Sequence, residues 1–272
     1  MSFYVRDRRG FLFGLAAAAA SPALAQPAAA PVSAGPPSKA LLDDLVVANR
    51  ILADQGVVDA FGHISVRHDK NPERFLISRN LAPGQVTAAD IMEYDLDGNP
   101  CDARGRGSYL ERFIHGSVLK ARPDVNSVVH SHSPGVIPFS VSDTPLKPLY
   151  HMAGFLGVGA PKFEIREAFG TETDMLIRDP KMGAAVARAL GKGTVVLMRG
   201  HGSVAVGSTI RLAVMHAVYT EVDARLEAEA LKLGKVTFLN PVEAAKALAT
   251  NDQQVERAWG VWRAKALATN PL

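Results

Sequence analysis

The sequence predicts one α/β domain built around a sheet that is largely antiparallel or mixed. From residue 38 onward, segments with helical periodicity alternate with short β-rich runs. No internal repeat or second linker interrupts this alternation, and 272 residues are enough for one large domain with a sizeable core. We therefore assign residues 38–272 to a single domain that ends in C-terminal helices.

The first 25 residues predict a signal peptide. Arg8 and Arg9 precede an apolar run that is too short to span a membrane, and "ALA" at 23–25 is typical of a cleavage site. The paired arginines indicate twin-arginine export and therefore a periplasmic protein. A disordered basic tail with an alanine-rich helix is the alternative. Residues 26–37 are rich in proline and alanine, which predicts a linker.

The elements of the domain follow in order along the chain. Ser38 is placed to cap a first helix, in which leucine and valine recur at helical spacing until Gly56. Three strands are predicted next, over "GHISVRHD", "RFLIS" and "IMEYDLDGNP", the last ending in an Asp-Gly turn. "LERFIHGSVLKAR" is helical and ends before Pro123, and "VNSVVHSH" is a short strand.

The second half continues the alternation. "DPKMGAAVARALGKG" predicts a helix, and "TVVLMRG" predicts the strand after it. We expect Ser208 to cap a long helix, and Asn240-Pro241 to begin a last one.

Charge and cysteine content exclude several classes of protein. The formal charge is +3, and the arginines of the first 25 residues account for most of it. The remaining near balance predicts no nucleic-acid partner, and the short apolar leader predicts no stable membrane anchoring. Cys101 is the single cysteine, so no intramolecular disulfide forms.

Two histidines lie one residue apart in "VVHSHSP". On a strand, residues two apart face the same side, so His130 and His132 are placed to approach one ion. Histidines satisfied within the core are the alternative. "MRGHG" supplies a third candidate, His201, between two glycines that permit close backbone approach. Three imidazoles leave an open coordination position on a divalent ion, which is typical of a catalytic metal.

Glu111 and His115 lie four residues apart on the predicted helix before this strand, and therefore share one helix face. This spacing fits a solvated surface pair. It fits equally well a metal ligand or general base beside the histidines, so the alternatives stay open at this point.

Four stretches of the chain, "GHISVR", "YLERFIHG", "RPDVNSVVHSHSP" and "MRGHGSVAVG", resemble the signatures of the class II aldolase/adducin family, in the family's order. The resemblance spans about residues 40–235. It implies a three-layer α/β/α sandwich and a homotetramer with active sites at subunit contacts. It also implies one divalent metal ion per subunit, Zn²⁺ or Mn²⁺, bound by His130, His132 and His201, with Glu111 as the catalytic acidic residue.

The chain departs from the family's sugar-phosphate aldolases where those enzymes hold phosphate with small residues. It has Gly62-His63, Ser78-Arg79 and Tyr109-Leu110 at the matching places. We expect Arg79 and His63 to orient a substrate carboxylate, unless Arg79 points to solvent, and Tyr109 to pack on a ring. His115 is a further predicted substrate contact.

A second departure lies in "PLYHMAGFLG". His151 precedes Met152, where the aldolases have a tyrosine proton donor. Because an imidazole titrates near neutrality, His151 is predicted to protonate the product carbon, from its own subunit or from a neighbouring one.

With these departures, the chain resembles the metal-dependent decarboxylases of the family, which act on hydroxylated aromatic or pyridine dicarboxylates of the phthalate type. Breaking a carbon–carbon bond next to an oxygenated carbon leaves a carbanion that is tolerable as an enolate, and a divalent cation stabilises that charge. We therefore predict a carbon–carbon lyase that decarboxylates a small hydroxylated aromatic carboxylate. The alternatives are aldol cleavage, dehydration or epimerisation of a non-phosphorylated hydroxy-carbonyl compound, and a non-catalytic adducin-like module.

Overall fold

The computed structural model describes residues 29–272. Their strands form one seven-stranded sheet in the order β3-β2-β1-β4-β7-β6-β5, and every neighbouring pair is antiparallel except β5 and β6. The strands are β1 (His63–His68), β2 (Asn71–Ser78), β3 (Ile91–Asp95), β4 (Ser127–Ser131), β5 (Lys162–Phe163), β6 (Val195–Met198) and β7 (Gly202–Gly207). The predicted mixed and mainly antiparallel sheet is confirmed.

Helices cover both faces of this sheet. They are α1 (Lys39–Asp54), α2 (Arg112–Ala121), α3 (Ile137–Val141), α4 (Ile165–Phe169), α5 (Pro180–Leu190), α6 (Ile210–Leu233), α7 (Pro241–Asp252) and α8 (Val255–Thr269). Three 3-10 helices, Pro83–Gln85, Ala88–Asp90 and His151–Leu156, lie in the connections.

Alternation along the strands creates two separate apolar cores. In β4, Val128 packs in the core shared with α2 and α5, whereas Val129 packs in the core shared with α1 and α6. Successive strand side chains point to opposite faces, so one apolar run feeds both cores. The implied three-layer α/β/α sandwich is confirmed. By the same alternation, His130 lies on the α2 and α5 face.

Helix caps explain most of the helix boundaries. The Ser38 hydroxyl accepts the N–H of Leu41 at the start of α1, as predicted. The expectation for α6 was wrong by one residue. The extended residue Thr209, not Ser208, is its N-cap, and the Thr209 hydroxyl accepts the N–H of Leu212 at 3.1 Å. The sequence analysis missed the strands β5 and β7, the helices α3, α4 and α8, and the 3-10 helices.

The segment before α1 runs along the β2–β3 side of the sheet without forming a helix or strand. Arg74 donates to the carbonyl of Val32, and the N–H of Ala34 donates to Glu93 at 2.7 Å. The predicted signal peptide lies outside the described residues, so export remains a prediction. Within 29–272, no helix has the length and apolar character needed to cross a bilayer.

Candidate active site

Four side chains from distant parts of the sequence meet at one end of the sheet. Potential ligand atoms of Glu111, His130, His132 and His201 all lie within 4.8 Å of one another, and we name these residues the Glu-His cluster. Nε2 of His201 lies 3.1 Å from Nε2 of His132 and 3.3 Å from Oε2 of Glu111. Nε2 of His130 lies 3.4 Å from the same Oε2.

The cluster is carried by the centre of the sheet and by its connections. His130 lies in β4, opposite His63 of β1 and Val204 of β7. His132 is the first residue past the end of β4, not part of the strand as predicted, and Glu111 immediately precedes α2.

His201 occupies the turn between β6 and β7, next to Gly202. A Cβ atom at Gly202 would lie 2.0 Å from the carbonyl oxygen of Ser131, so no other residue fits there. The close approach of β7 to the end of β4 brings the His201 ring beside those of His130 and His132, at centroid distances of 5.0 and 4.9 Å.

Backbone groups fix the direction of three cluster members. Nδ1 of His130 donates to the Ser203 carbonyl at 3.1 Å, and Nδ1 of His201 donates to the Met175 carbonyl at 2.9 Å. Since a carbonyl only accepts, each Nδ1 carries the hydrogen, so each Nε2 is the atom that offers a lone pair to the cluster when its ring is neutral. The N–H of Ile177 donates to Oε1 of Glu111 at 2.9 Å, which leaves Oε2 facing the imidazoles.

These residues fit a divalent cation. The buried Nε2 of His130 has no hydrogen-bond partner in the structure, although an unpaired buried polar atom is costly. Imidazole nitrogens held by Nδ1–H to carbonyl bonds, together with one carboxylate oxygen, are a donor set that zinc or manganese accepts. The cluster could therefore hold a divalent metal ion, and the ligand chemistry leaves the identity of that ion open.

Burial and charge perturb the pKa values within the cluster. Burial acts to raise the pKa of Glu111, but the neighbouring His130 and His201 outweigh it and hold that pKa well below its ordinary value. Burial, with His130 and His201 beside it, lowers the pKa of His132 to about 4. Around neutral pH these effects favour an ionised carboxylate next to a neutral His132, which are the forms that bind metal.

A second histidine pair lies behind the cluster. Nδ1 of His63 lies 2.6 Å from Nε2 of His115, and Nδ1 of His115 lies 2.7 Å from the Ser65 hydroxyl. Burial lowers the pKa of His63 well below its usual value and that of His115 to about 3, and neighbouring imidazoles add to both shifts. The two rings are therefore neutral, and one donates to the other.

Beside the cluster lies a cavity of about 690 Å³ with mainly apolar and aromatic walls. His63 and Tyr109 contribute to the wall, with ring centroids 4.4 Å apart. The Tyr109 hydroxyl is occupied by the Leu81 carbonyl and by Ser78, so the tyrosine presents its ring and not a free hydroxyl. The other side chains that line the cavity include Phe61, Leu81, Leu110 and Leu176.

Three predicted substrate or catalytic residues lie outside this cavity in the single chain. Nε of Arg79 donates to Asp90 at 2.6 Å, so an internal ion pair replaces the expected substrate carboxylate. His115 is completely buried and touches His63, so its predicted substrate contact is indirect. His151 is exposed at the start of the 3-10 helix His151–Leu156, away from the cluster.

The sequence analysis missed the backbone groups that orient the cluster. Met175 and Ile177 lie in the connection between α4 and α5, and Ser203 lies in the unpredicted strand β7. A carbonyl or N–H has no residue-type signature. The polar "TETD" before Met175 is the one available signal, since such residues favour turns.

Comparison with known proteins agrees with this architecture. Residues 43–228 match the family model of the Class II Aldolase and Adducin N-terminal domain. A decarboxylase of Talaromyces stipitatus, tropJ, is 34% identical over 235 residues, which cover 78% of this chain and 88% of the relative. A 3,4-dihydroxyphthalate decarboxylase of Arthrobacter keyseri is 30% identical over 200 residues, covering 70% of this chain and 78% of the relative.

A solved structure shows the same fold. The aldolase II superfamily protein from Pseudomonas syringae superimposes with a TM-score of 0.73 at 22% identity, covering 87% of this chain and 96% of that chain. The family match spans more than half of the sequence and includes every member of the Glu-His cluster. The chain therefore belongs to the class II aldolase and adducin family, on the branch that holds these decarboxylases.

Proposed function

We propose that this lyase decarboxylates a hydroxylated aromatic carboxylate bound in the cavity beside the Glu-His cluster. The observation that carries the proposal is the direct opening of a complete metal-ligand set into a cavity walled by Phe61, Tyr109 and leucine side chains. Such walls suit the faces of an aromatic ring, while the cluster suits its oxygen substituents. The two relatives named as decarboxylases support the same reaction class.

Each group of the site has a role in this reaction. A divalent cation held by the cluster would stabilise negative charge that develops on a substrate oxygen. His63 has Nδ1 engaged by His115, which leaves Nε2 to hydrogen-bond with a substrate carboxylate or hydroxyl. Because the pKa of Glu111 is held low, its carboxylate is ionised near neutral pH. It is the group available to accept the proton of the ring hydroxyl, whose acidity a bound cation would raise.

A proton is then delivered to the ring carbon that bears the carboxylate, which gives the keto tautomer of the acid. The bond between that carbon and the carboxylate breaks, CO2 leaves, and the electron pair of the bond becomes the enolate of the product. Within one chain, His151 does not line the cavity and so is not placed to deliver this proton. We therefore assign the delivery to His151 of a neighbouring subunit in a homotetramer, or to water.

The position of Arg79 bears on the substrate. With its guanidinium paired to Asp90, this residue no longer supports a requirement for a second carboxylate. We propose that one carboxylate next to a ring hydroxyl is sufficient for turnover, and that a dicarboxylate such as 3,4-dihydroxyphthalate is not required.

An assay of two products tests this proposal. Protein reconstituted with Zn²⁺ or Mn²⁺ is given ortho-hydroxybenzoates, 3,4-dihydroxyphthalate and hydroxy-aldehyde adducts, while CO2 and aldehyde are measured. We expect CO2 without aldehyde from the aromatic acids, and its loss in Glu111→Gln. Aldehyde without CO2 would move the assignment to aldol cleavage, and failure to bind any divalent ion would indicate a non-catalytic adducin-like module.

The same assay tests the role of His151. Glu111→Gln and His151→Ala subunits are mixed and reassembled. If His151 acts across a subunit contact, hybrids regain part of the CO2 release because some sites combine an intact cluster with an intact partner His151. CO2 release retained in His151→Ala itself would leave water as the donor, and absence of recovery in assemblies shown to be hybrid would contradict delivery across a subunit contact.

A further inference from the structure

One short connection touches the Glu-His cluster twice. Residues 173–177 lie in the connection between α4 and α5. Their backbone supplies the carbonyl that accepts a hydrogen bond from His201 and the N–H that donates one to Glu111. Leu176, between these two groups, lines the substrate cavity. Two metal ligands and part of the cavity wall therefore depend on the conformation of three consecutive residues.

Met175 adopts a conformation that side chains other than glycine rarely take. Its φ is +66°, and Arg104, at +43°, is the one other non-glycine residue with positive φ in the part of the chain that the structure describes. Such conformations persist where surrounding contacts determine them, and they concentrate at functional sites.

Local contacts hold this turn on both sides of Met175. The Thr173 hydroxyl oxygen accepts the N–H of Met175 at 2.9 Å, and a carboxylate oxygen of Asp174 accepts the N–H of Leu176 at 3.2 Å. Because the N–H of Met175 is fixed, rotation about its N–Cα bond sets the direction of its own carbonyl. The value of φ therefore decides whether that carbonyl meets Nδ1 of His201.

We infer that Met175 is a positioning residue for the metal centre, acting through its left-handed backbone and not through its side chain. The Met175 carbonyl keeps His201 in the tautomer that directs Nε2 at the cluster. The inference rests on the proposed metal site but not on the proposed reaction.

The choice of substitutions separates backbone from side chain. Glycine adopts positive φ freely and asparagine tolerates it, whereas β-branched valine strongly resists it. If the backbone matters, Met175→Gly and Met175→Asn bind Zn²⁺ about as tightly as wild type, while Met175→Val binds it roughly 10- to 100-fold more weakly, as when an outer-shell partner of a metal ligand is lost. If the apolar side chain of Met175 mattered instead, the order of Zn²⁺ affinities would be reversed, and Met175→Val would bind most tightly of the three variants.

The measurement is the Zn²⁺ binding isotherm of the metal-free full-length chain, with Co²⁺ absorption as a second readout of ligand geometry. Circular dichroism and thermal unfolding of the metal-free variants report whether they fold. The matched controls are the same three substitutions at the exposed Arg104, which should leave Zn²⁺ affinity unchanged whatever they do to stability.

A milder pair of variants covers the case in which Met175→Val does not fold. Thr173→Ser keeps the oxygen that accepts the Met175 N–H and should retain Zn²⁺ affinity, whereas Thr173→Val removes it and should weaken binding several-fold. Wild-type Zn²⁺ affinity in both Met175→Val and Thr173→Val, or affinities that rank with the apolarity of the side chain at position 175, would overturn this inference and leave the proposed function standing. A wild-type chain that binds no divalent ion would overturn the proposed function as well.

Discussion

The two sides of the Glu-His cluster are built in different ways. On one side, His130 lies within β4, completely buried and hydrogen-bonded through its strand to β1 and β7. On the other, His201 lies in a turn and depends on the carbonyl of Met175, 26 residues earlier. The sheet fixes the first ligand through regular pairing, while the second is fixed by a contact between two irregular segments.

This difference indicates which ligands can be displaced without unfolding the protein. Backbone pairing on both sides of β4 cannot change without disrupting the centre of the sheet, so His130 is placed by the fold itself. The loop-borne ligands can lose their geometry while the fold survives. We name the β4 region the strand side, and the segments around His132 and His201 the loop side.

The largest effect is expected from removing one ligand on each side. His130→Ala and His201→Ala should each weaken Zn²⁺ binding by more than about 100-fold, exceeding the effect of losing an outer-shell partner. The two substitutions should also differ in their effect on the free energy of unfolding of the metal-free protein. His130→Ala removes a fully buried ring and its hydrogen bond to the Ser203 carbonyl, and the lost bond alone should cost about 0.5–1.5 kcal/mol in free energy of unfolding, whereas the less buried His201→Ala should cost less.

Metal content after dialysis and urea unfolding of the metal-free proteins measure the two effects. Equal destabilisation by both substitutions would remove the distinction between the two sides. Wild-type metal content in either variant would contradict the assignment of that residue as a ligand.

A smaller effect is expected from the loop after His132. Glu221 of α6 is buried, and its carboxylate accepts the Ser133 hydroxyl and the N–H of Gly135 at 2.9 Å. Glu221→Ala frees this loop and should weaken Zn²⁺ binding roughly tenfold, near the lower end for outer-shell partners.

Arg225→Ala is the matched control for Glu221. It removes the exposed partner of the same carboxylate while leaving both bonds to the loop in place. Unchanged Zn²⁺ affinity in Arg225→Ala, with weakened affinity in Glu221→Ala, identifies the loop bonds as the cause. Equal losses in the two variants would instead indicate a general perturbation of α6.

The strand side was predictable from the sequence, and the loop side was only partly so. Alternation in "VNSVVHSH" predicts both β4 and the face on which His130 lies, since period two is a local property. The two-residue strand β5 carries too few residues to show a pattern. The orienting carbonyls and N–H groups belong to segments whose contacts arise only in the folded chain.

Arg79 shows the same limit for a side chain. Its match to a phosphate-binding position of the resembled aldolases predicted a guanidinium that grips a substrate carboxylate. The fold instead brings it to Asp90, which also accepts the N–H and hydroxyl of Thr87 in the 3-10 turn Ala88–Asp90. That ion pair depends on how the connection between β2 and β3 turns back, which no local pattern specified.

An effect that does not involve the metal site is expected in the pH dependence of stability, and it concerns the loop that leads to His151. Asp223 and Glu227 are buried on α6 and accept the N–H groups of Leu149 and Lys147.

Burial raises the pKa of each carboxyl to about 7, well above the roughly 4 of an unfolded chain. The folded chain therefore binds more protons than the unfolded chain between about pH 4 and 7, so these groups lose stabilising effect as pH rises through that window. Between pH 5.5 and pH 8 the doubly substituted Asp223→Asn, Glu227→Gln chain should show a profile flatter by on the order of 4 kcal/mol, about 2 kcal/mol for each carboxyl, since one pKa unit corresponds to about 1.4 kcal/mol.

The comparison is made by urea unfolding of metal-free protein at pH 5.5 and pH 8, because subtracting the wild-type profile cancels the titration of the histidines. Glu229→Gln, an exposed carboxylate on the same helix, is the control and should leave the profile unchanged. A double variant whose free energy of unfolding changes with pH as steeply as wild type would show that these two carboxyls titrate alike in both states. The loop before His151 would then owe its position to the hydrogen bonds of Leu149 and Lys147 alone.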